Sequence, residues 1–220
     1  MVKRFVLAAV LLAGVGPTAA LAAPQFVNGD FEDPQISGSA VSGAGTLADW
    51  SVGGNGVDIV SDRLWEPSSG NQSLDLSLLD AGSIVQTVTG FNVGQGYKLL
   101  FDLSGNPDDG DPIKEMRVAV GGGVSQVFSF DTATTSRSSM GWDTRAFLFS
   151  ASDANVSFTF SSLNDSPYGP ALDNVRLESA SGTITDVSTP ATFGLLGGAL
   201  FGIGYYLRRG RSRRNPGARS

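Results

Sequence analysis

The chain of 220 residues contains neither cysteine nor histidine. Without cysteine there is no disulfide framework, no zinc–thiolate site and no thiol nucleophile. Without histidine the Ser–His–acid triad is excluded, as is the side chain that most often shuttles protons near neutral pH and ligates metals. Charge is sparse, Asp, Glu, Lys and Arg together making up 16%, and it is unevenly placed. All 21 acids lie between Asp30 and Asp186, a stretch that holds only seven bases and so carries −14. A surface of that sign repels phosphate backbones and argues against nucleic acid as a partner. Between the two ends there is also no apolar pattern of 3.6-residue period long enough for an amphipathic helix.

What the middle does contain is short Val-, Ile- and Phe-rich runs punctuated by glycine (29 in the chain), Ser, Thr and Asp. Ser83–Val88, Gly96–Leu103, Met116–Val120 and Ser125–Phe130 read as strands. Thr144–Ser150 and Asn155–Ser161 alternate apolar and polar residues strictly, the pattern of a half-buried strand, and Ala171–Leu177 closes the series. Turn chemistry separates them at Gly105–Pro112, at Gly121-Gly122-Gly123 and at Ser166–Pro170. Seven or more strands at this spacing predict an all-β domain over residues 23–180, a β-sandwich or jelly roll.

The ends read differently. Residues 1–22 have the order of a signal peptide: Lys3 and Arg4, the apolar run Phe5–Val15, then Ala20-Leu21-Ala22 for a signal peptidase to cut after. Residues 181–190 form a linker that ends in Thr189-Pro190, and the uncharged run 191–207 predicts a transmembrane segment. Arg208, Arg209, Arg211, Arg213 and Arg214 follow within 208–220, and the positive-inside rule keeps them cytoplasmic, with the acidic domain outside the inner membrane. This tail resembles the PEP-CTERM sorting signal: Thr189, Pro190, Ala191 and Thr192 align with its "EPAT" portion, Thr189 standing where glutamate is usual. The resemblance implies an exosortase-like sorting protease as a partner, and a plain membrane anchor is the alternative.

Five blocks of the middle carry a second resemblance. They are "NGDFEDP" (28–34), "GNQSLDL" (70–76), "FDLSGNPDDG" (101–110), "MGWDTRAFLFSA" (140–151) and "YGPALDNVRL" (168–177). In this order they resemble the choice-of-anchor C family, itself similar to galactose-binding-like jelly rolls. Related carbohydrate-binding jelly rolls hold a structural Ca²⁺ between an "FE" glutamate near the start and an aspartate near the end. By that resemblance Glu32 and Asp173 are the candidate ligands, through carboxylates of the kind Ca²⁺ prefers. The alternative is that both cap turns or accept backbone hydrogen bonds. The "NPDDGDP" segment (106–112) lacks EF-hand spacing and reads as a solvated turn.

For ligand contact the candidates are Trp50, Trp65, Trp142, Tyr97 and Tyr168, since aromatic rings offer flat apolar faces with a polar tip. Trp142 opens an alternating strand and is expected to pack. Trp65 lies in a polar loop and is the better candidate, with Asp62, Arg63 and Tyr168 nearby; the alternative is a loop aromatic folded onto the sandwich. No arrangement of acids matches a catalytic motif. The reading is therefore an exported, non-enzymatic surface module that binds polysaccharide, with a structural surface protein second and a glycan-active enzyme third.

Overall fold

Alternation in the sequence becomes alternation of burial. A computed structural model describes residues 23–42, 47–121 and 123–180. The signal peptide, the linker with its sorting motif, the transmembrane segment and the arginine cluster lie outside these residues. Eleven strands are present among the described residues: β1 (Ala40–Ser42), β2 (Ser51–Gly54), β3 (Asp58–Ser61), β4 (Gln72–Asp75), β5 (Gly82–Thr89), β6 (Gly96–Gly105), β7 (Ile113–Val120), β8 (Val124–Asp131), β9 (Asp143–Ser150), β10 (Asn155–Ser162) and β11 (Pro170–Ser179). They form a six-stranded sheet in the order β1-β3-β4-β11-β6-β9 and a five-stranded sheet in the order β2-β5-β10-β7-β8. Every pairing is antiparallel. This is an all-β sandwich of jelly-roll type.

The seven strands read from the sequence are β5 to β11, each extended by a few residues. β1 to β4 escaped that reading because they are three or four residues long and do not alternate; all four residues of β4 are buried. The "NGDFE" segment forms no strand but turns back on itself, with Asn28 and Phe31 at positive φ (51° and 56°).

Between the sheets lies a layer rich in aromatic side chains. Phe158 meets Phe26, Phe91 and Phe149 at ring-centroid distances of 4.9, 5.9 and 5.4 Å, and Phe160 meets Trp50 and Phe101 at 6.1 and 5.7 Å. Burying each such side chain contributes on the order of 1.5–3 kcal/mol. The two sheets differ on their outer faces. β5, β7 and β10 alternate buried with more exposed residues, whereas β4 and β6 are buried nearly throughout. A second apolar cluster, Val60, Trp65, Met140 and Ala171 with Leu64 and Trp142 against it, explains the difference. Loops around residues 61–72 and 137–142 cover the outer face of the six-stranded sheet over β4 and β6, while β9 keeps an exposed side.

Candidate functional site

The first and last blocks of the domain meet at a β-bulge. The β6–β11 register shifts between Asp173 and Arg176, and Asn174 sits at φ 51°. The bulge frees Val175, whose N–H donates to the Gly29 carbonyl at 2.7 Å. A Cβ on Gly29 would collide with the Val175 carbonyl oxygen, so only glycine permits this approach. Asn28 locks the turn, its side chain donating to the Asp33 and Ala48 carbonyls and accepting from the Asp33 N–H.

Glu32 and Asp173 do not touch each other but grip the same loop. Glu32 Oε1 accepts the N–H groups of Asn71 and Gln72 at 2.6 and 2.8 Å. Gly70, at φ +60°, passes so close that a Cβ there would strike that oxygen. Asp173 Oδ2 accepts the Ser69 N–H at 2.8 Å, and its Oδ1 accepts the Asn174 N–H at 2.6 Å. This is backbone acceptance, the alternative left open by the sequence. Carboxylate oxygens and loop carbonyls are the donor type Ca²⁺ takes, but among the described residues no group of three or more acidic side chains is gathered to hold an ion.

Asp102 stands directly opposite Asp173 across β6 and β11. The environments of the two split their behaviour. Burial pushes Asp173 up to about 7, the neighbouring Asp102 charge adding to the rise. Burial also acts on Asp102, but the hydroxyls of Ser68 and Thr144, the Asn174 amide and the Arg176 charge outweigh it and hold its carboxyl below the usual range. Asp75 is likewise buried and raised to about 7, although it accepts from the Asn106 amide and the N–H groups of Ser77 and Gly169.

On the outer side of the gripped loop is a cleft of about 180 Å³ lined by Gln35, Ile36, Ser61, Asp62, Arg63, Asn71 and Gln72. Of the group read around Trp65 (Asp62, Arg63, Trp65 and Tyr168) it unites the first two. Asp62 is positioned by its N–H bond to the Asn71 carbonyl (2.8 Å), and Arg63 by Nη1 donating to the Ser37 carbonyl (2.6 Å). Gln72 makes the rigid floor: its side chain accepts the Ile36 N–H and donates to the Phe31 and Pro34 carbonyls. The Asp62 carboxylate and the Asn71 side-chain amide take part in no hydrogen bond among the described residues. The cleft thus presents a charged acceptor, a charged donor and an amide beside half-buried Ile36.

The other two candidates lie elsewhere. Trp65 is 2% exposed and donates its indole N–H to Ser73 Oγ at 2.8 Å, so it offers no face to a ligand. The reason is the covering layer: Trp65 is the largest side chain filling the gap between loop and sheet. Tyr168 is half-buried in the loop before β11, beside Gly110, and does not line the cleft. Trp50 and Tyr97 are core residues, and Trp142 packs as expected, its indole donating to the Glu66 carbonyl. Sequence reasoning missed Asn71, Gln35 and Ile36; the first lies in a quoted block, but nothing marked it as facing a cleft.

Other depressions among the described residues are larger; one of about 210 Å³, beside Val120 and Phe149, holds no charged side chain, and two more are larger still. A groove of about 510 Å³ lies between Ala23–Val27 and β5, but the Gln86 amide in it is spent on Val27 and Asp49. A depression of about 420 Å³ is lined by Asp111, Glu115 and Asp165, with the Asn164 amide spent on Ile113 and Glu115. Neither combines a free charged donor with a free charged acceptor.

A family model described as "Protein of unknown function (DUF642)" matches residues 24–178. The chain belongs to the DUF642 family. Among curated proteins, halomucin of Haloquadratum walsbyi is 30% identical over 193 residues, 82% of this chain; the chain spans 2% of halomucin's length. The DUF642 fold is similar to that of TmCBM61, solved in complex with β-1,4-galactotriose, with a TM-score of 0.51 and 16% identity over 72% of this chain and all of that one. It is also similar to a family 35 carbohydrate-binding module from Clostridium thermocellum, with a TM-score of 0.47 and 17% identity over 65% of this chain and all of that one.

Proposed function

We propose that this DUF642 domain is a non-enzymatic carbohydrate-binding module that engages polysaccharide at the cleft formed by Asp62, Arg63 and Asn71. The observation that carries the reading is the convergence, on one rigid floor, of a free carboxylate, a guanidinium and a free amide. Sugar hydroxyls both donate and accept, so such a set satisfies several at once. The resemblance to carbohydrate-binding jelly rolls supports it, and the galactotriose of TmCBM61 makes galactans a natural first ligand to try. We place the domain outside the cell, consistent with the signal-like start, the sorting-like tail with its arginines, and the relationship to halomucin. Anchoring through residues 191–207, recognition of Thr189–Thr192 by a sorting protease and membership of the choice-of-anchor C group belong to the same proposal.

One observation favours the second reading, a structural surface module. The exposed large hydrophobic residues among those described are Val, Leu and Ile, with no aromatic platform. A glycan array probed with wild type and Arg63→Ala separates the two. Binding of at least one polysaccharide, reduced about tenfold or more in Arg63→Ala, supports the module; an array blank for both supports the structural role.

A further inference from the structure

The charges around the cleft narrow the ligand class. We infer that the glycan taken there is uncharged: a neutral polysaccharide presenting neighbouring free hydroxyls, and not a uronate or sulfated polymer. This rests on the carbohydrate-binding reading above.

Drawing a polyanion onto so acidic a surface favours free cations in a row, since a carboxylate or sulfate is held most strongly by an Arg or Lys not already committed. The domain has seven bases. Four are paired: Lys98 with Glu178, Arg137 with Asp108, Arg145 with Asp143 and Arg176 with Asp102. Lys114 is buried, its ammonium donating to the Asp109 carbonyl at 2.9 Å. Arg63 and Arg117 remain. Arg117 lies on β7 of the five-stranded sheet, while Arg63 follows β3 of the other sheet. The described surface therefore offers no track of two free cations, in a domain whose seven bases face 20 acids, a net charge of −13.

Within the cleft the same conclusion holds locally. Arg63 spends one donor on the Ser37 carbonyl, and the neighbouring Asp62 carboxylate carries the opposite charge with no hydrogen-bond donor of its own. A ligand carboxylate drawn to Arg63 would be set beside Asp62, and like charges in contact are penalised. A neutral hydroxyl pair meets no such conflict: one hydroxyl donates to Asp62, its neighbour accepts from Arg63, and Asn71 serves either role. Recognition built on hydroxyls loses little when salt screens long-range fields, whereas polyanion capture is strongly salt-dependent.

The test compares matched polymers on the full-length chain in mild detergent: β-1,4-galactan against polygalacturonate, and cellohexaose against its C6-oxidised β-1,4-glucuronan counterpart. Affinities are measured by calorimetry or affinity electrophoresis in low and high NaCl. The inference expects a neutral member to bind, with less than about a twofold change between the salts and no binding of its acidic partner. It also expects losses of about tenfold or more in Asp62→Asn and Arg63→Ala and none in Arg117→Ala. Tighter binding of an acidic member, lost in high salt, overturns the inference while leaving carbohydrate binding standing. Failure of every polymer to bind overturns the functional reading itself.

Discussion

The two sheets of this sandwich are built from the same residue types yet solve different problems. The five-stranded sheet buries one face and leaves the other to solvent, so β5, β7 and β10 alternate in burial. The six-stranded sheet is covered on both faces along β4 and β6, though not along β9, and its outer layer is partly polar: Asp75, Asp102, Asp173, Ser73 and Ser104 are buried there beside Trp65 and Met140. Apolar contact in the inner layer holds the sandwich together without regard to direction. The outer layer uses directional bonds from buried carboxylates and hydroxyls to backbone N–H groups, which fix where loops lie. The inner layer therefore sets stability, and the outer layer sets the shape of the cleft.

The largest effect should come from the inner layer. Phe158 is fully buried among other rings, and Phe158→Ala should cost about 3–5 kcal/mol, read as a lowered midpoint in urea with an unchanged slope. A cost below about 1 kcal/mol would mean that the sandwich is held by something other than this aromatic layer. The outer layer should respond more locally. Trp65→Phe removes the indole N–H accepted by Ser73 and should cost about 1–2 kcal/mol. Amide exchange should quicken over residues 61–72 while β5, β7 and β10 stay protected; equal quickening in both sheets would dissolve the distinction.

Acidity provides a subtler probe of the same layer. Asp75 and Asp173 titrate near 7 in the folded chain against 3.8 unfolded, so between those values the folded state holds more protons. Stability should therefore rise as pH falls from about 8 to about 5, and drop as pH rises through 7. Asp102, held low, acts the other way: it stabilises above the ordinary carboxylate range, and that share is lost as pH falls through its depressed value. Thermal melts across pH read the sum, and the double variant Asp75→Asn, Asp173→Asn should flatten the rise between 8 and 5. An unchanged profile in that variant would show that the buried pair is not its source.

The smallest expected effect is that of calcium, proposed from the family resemblance for Glu32 and Asp173. A cation there favours ionised Asp173, so Ca²⁺ should raise the melting temperature more at pH 8 than at pH 5, and Asp173→Asn should remove the increment. Mg²⁺ at equal ionic strength is the control; an equal shift with Mg²⁺ would reduce the effect to screening of an acidic domain.

How much of this was legible in the sequence follows the same division. Strands β5 to β11 could be read because one-sided burial writes itself as alternation, as in Asn155–Ser162. Strands β1 to β4 could not, because brevity and, in β3 and β4, two-sided burial erase the period. Trp65 looked like a ligand residue because its neighbours are polar; its burial depends on a loop folding across a sheet, which no local pattern records. Asp62 and Arg63 were visible as adjacent opposite charges in a loop. Their partners Ile36 and Asn71 come from segments brought together only when "NGDFE" docks on the β11 bulge and Glu32 takes hold of residues 71 and 72.

The glycan site proposed at Asp62, Arg63 and Asn71 is shaped by the polar cover of the six-stranded sheet. Nuclear magnetic resonance titration with the best-binding polysaccharide fragment tests it residue by residue. The Arg63 Nε–H and Asn71 side-chain amide signals, with the backbone of 35–37 and 61–63, should shift saturably while β5, β7 and β8 stay still. Saturable shifts confined to the five-stranded sheet, or to the depression beside Asp111 and Asp165, would contradict the proposed site.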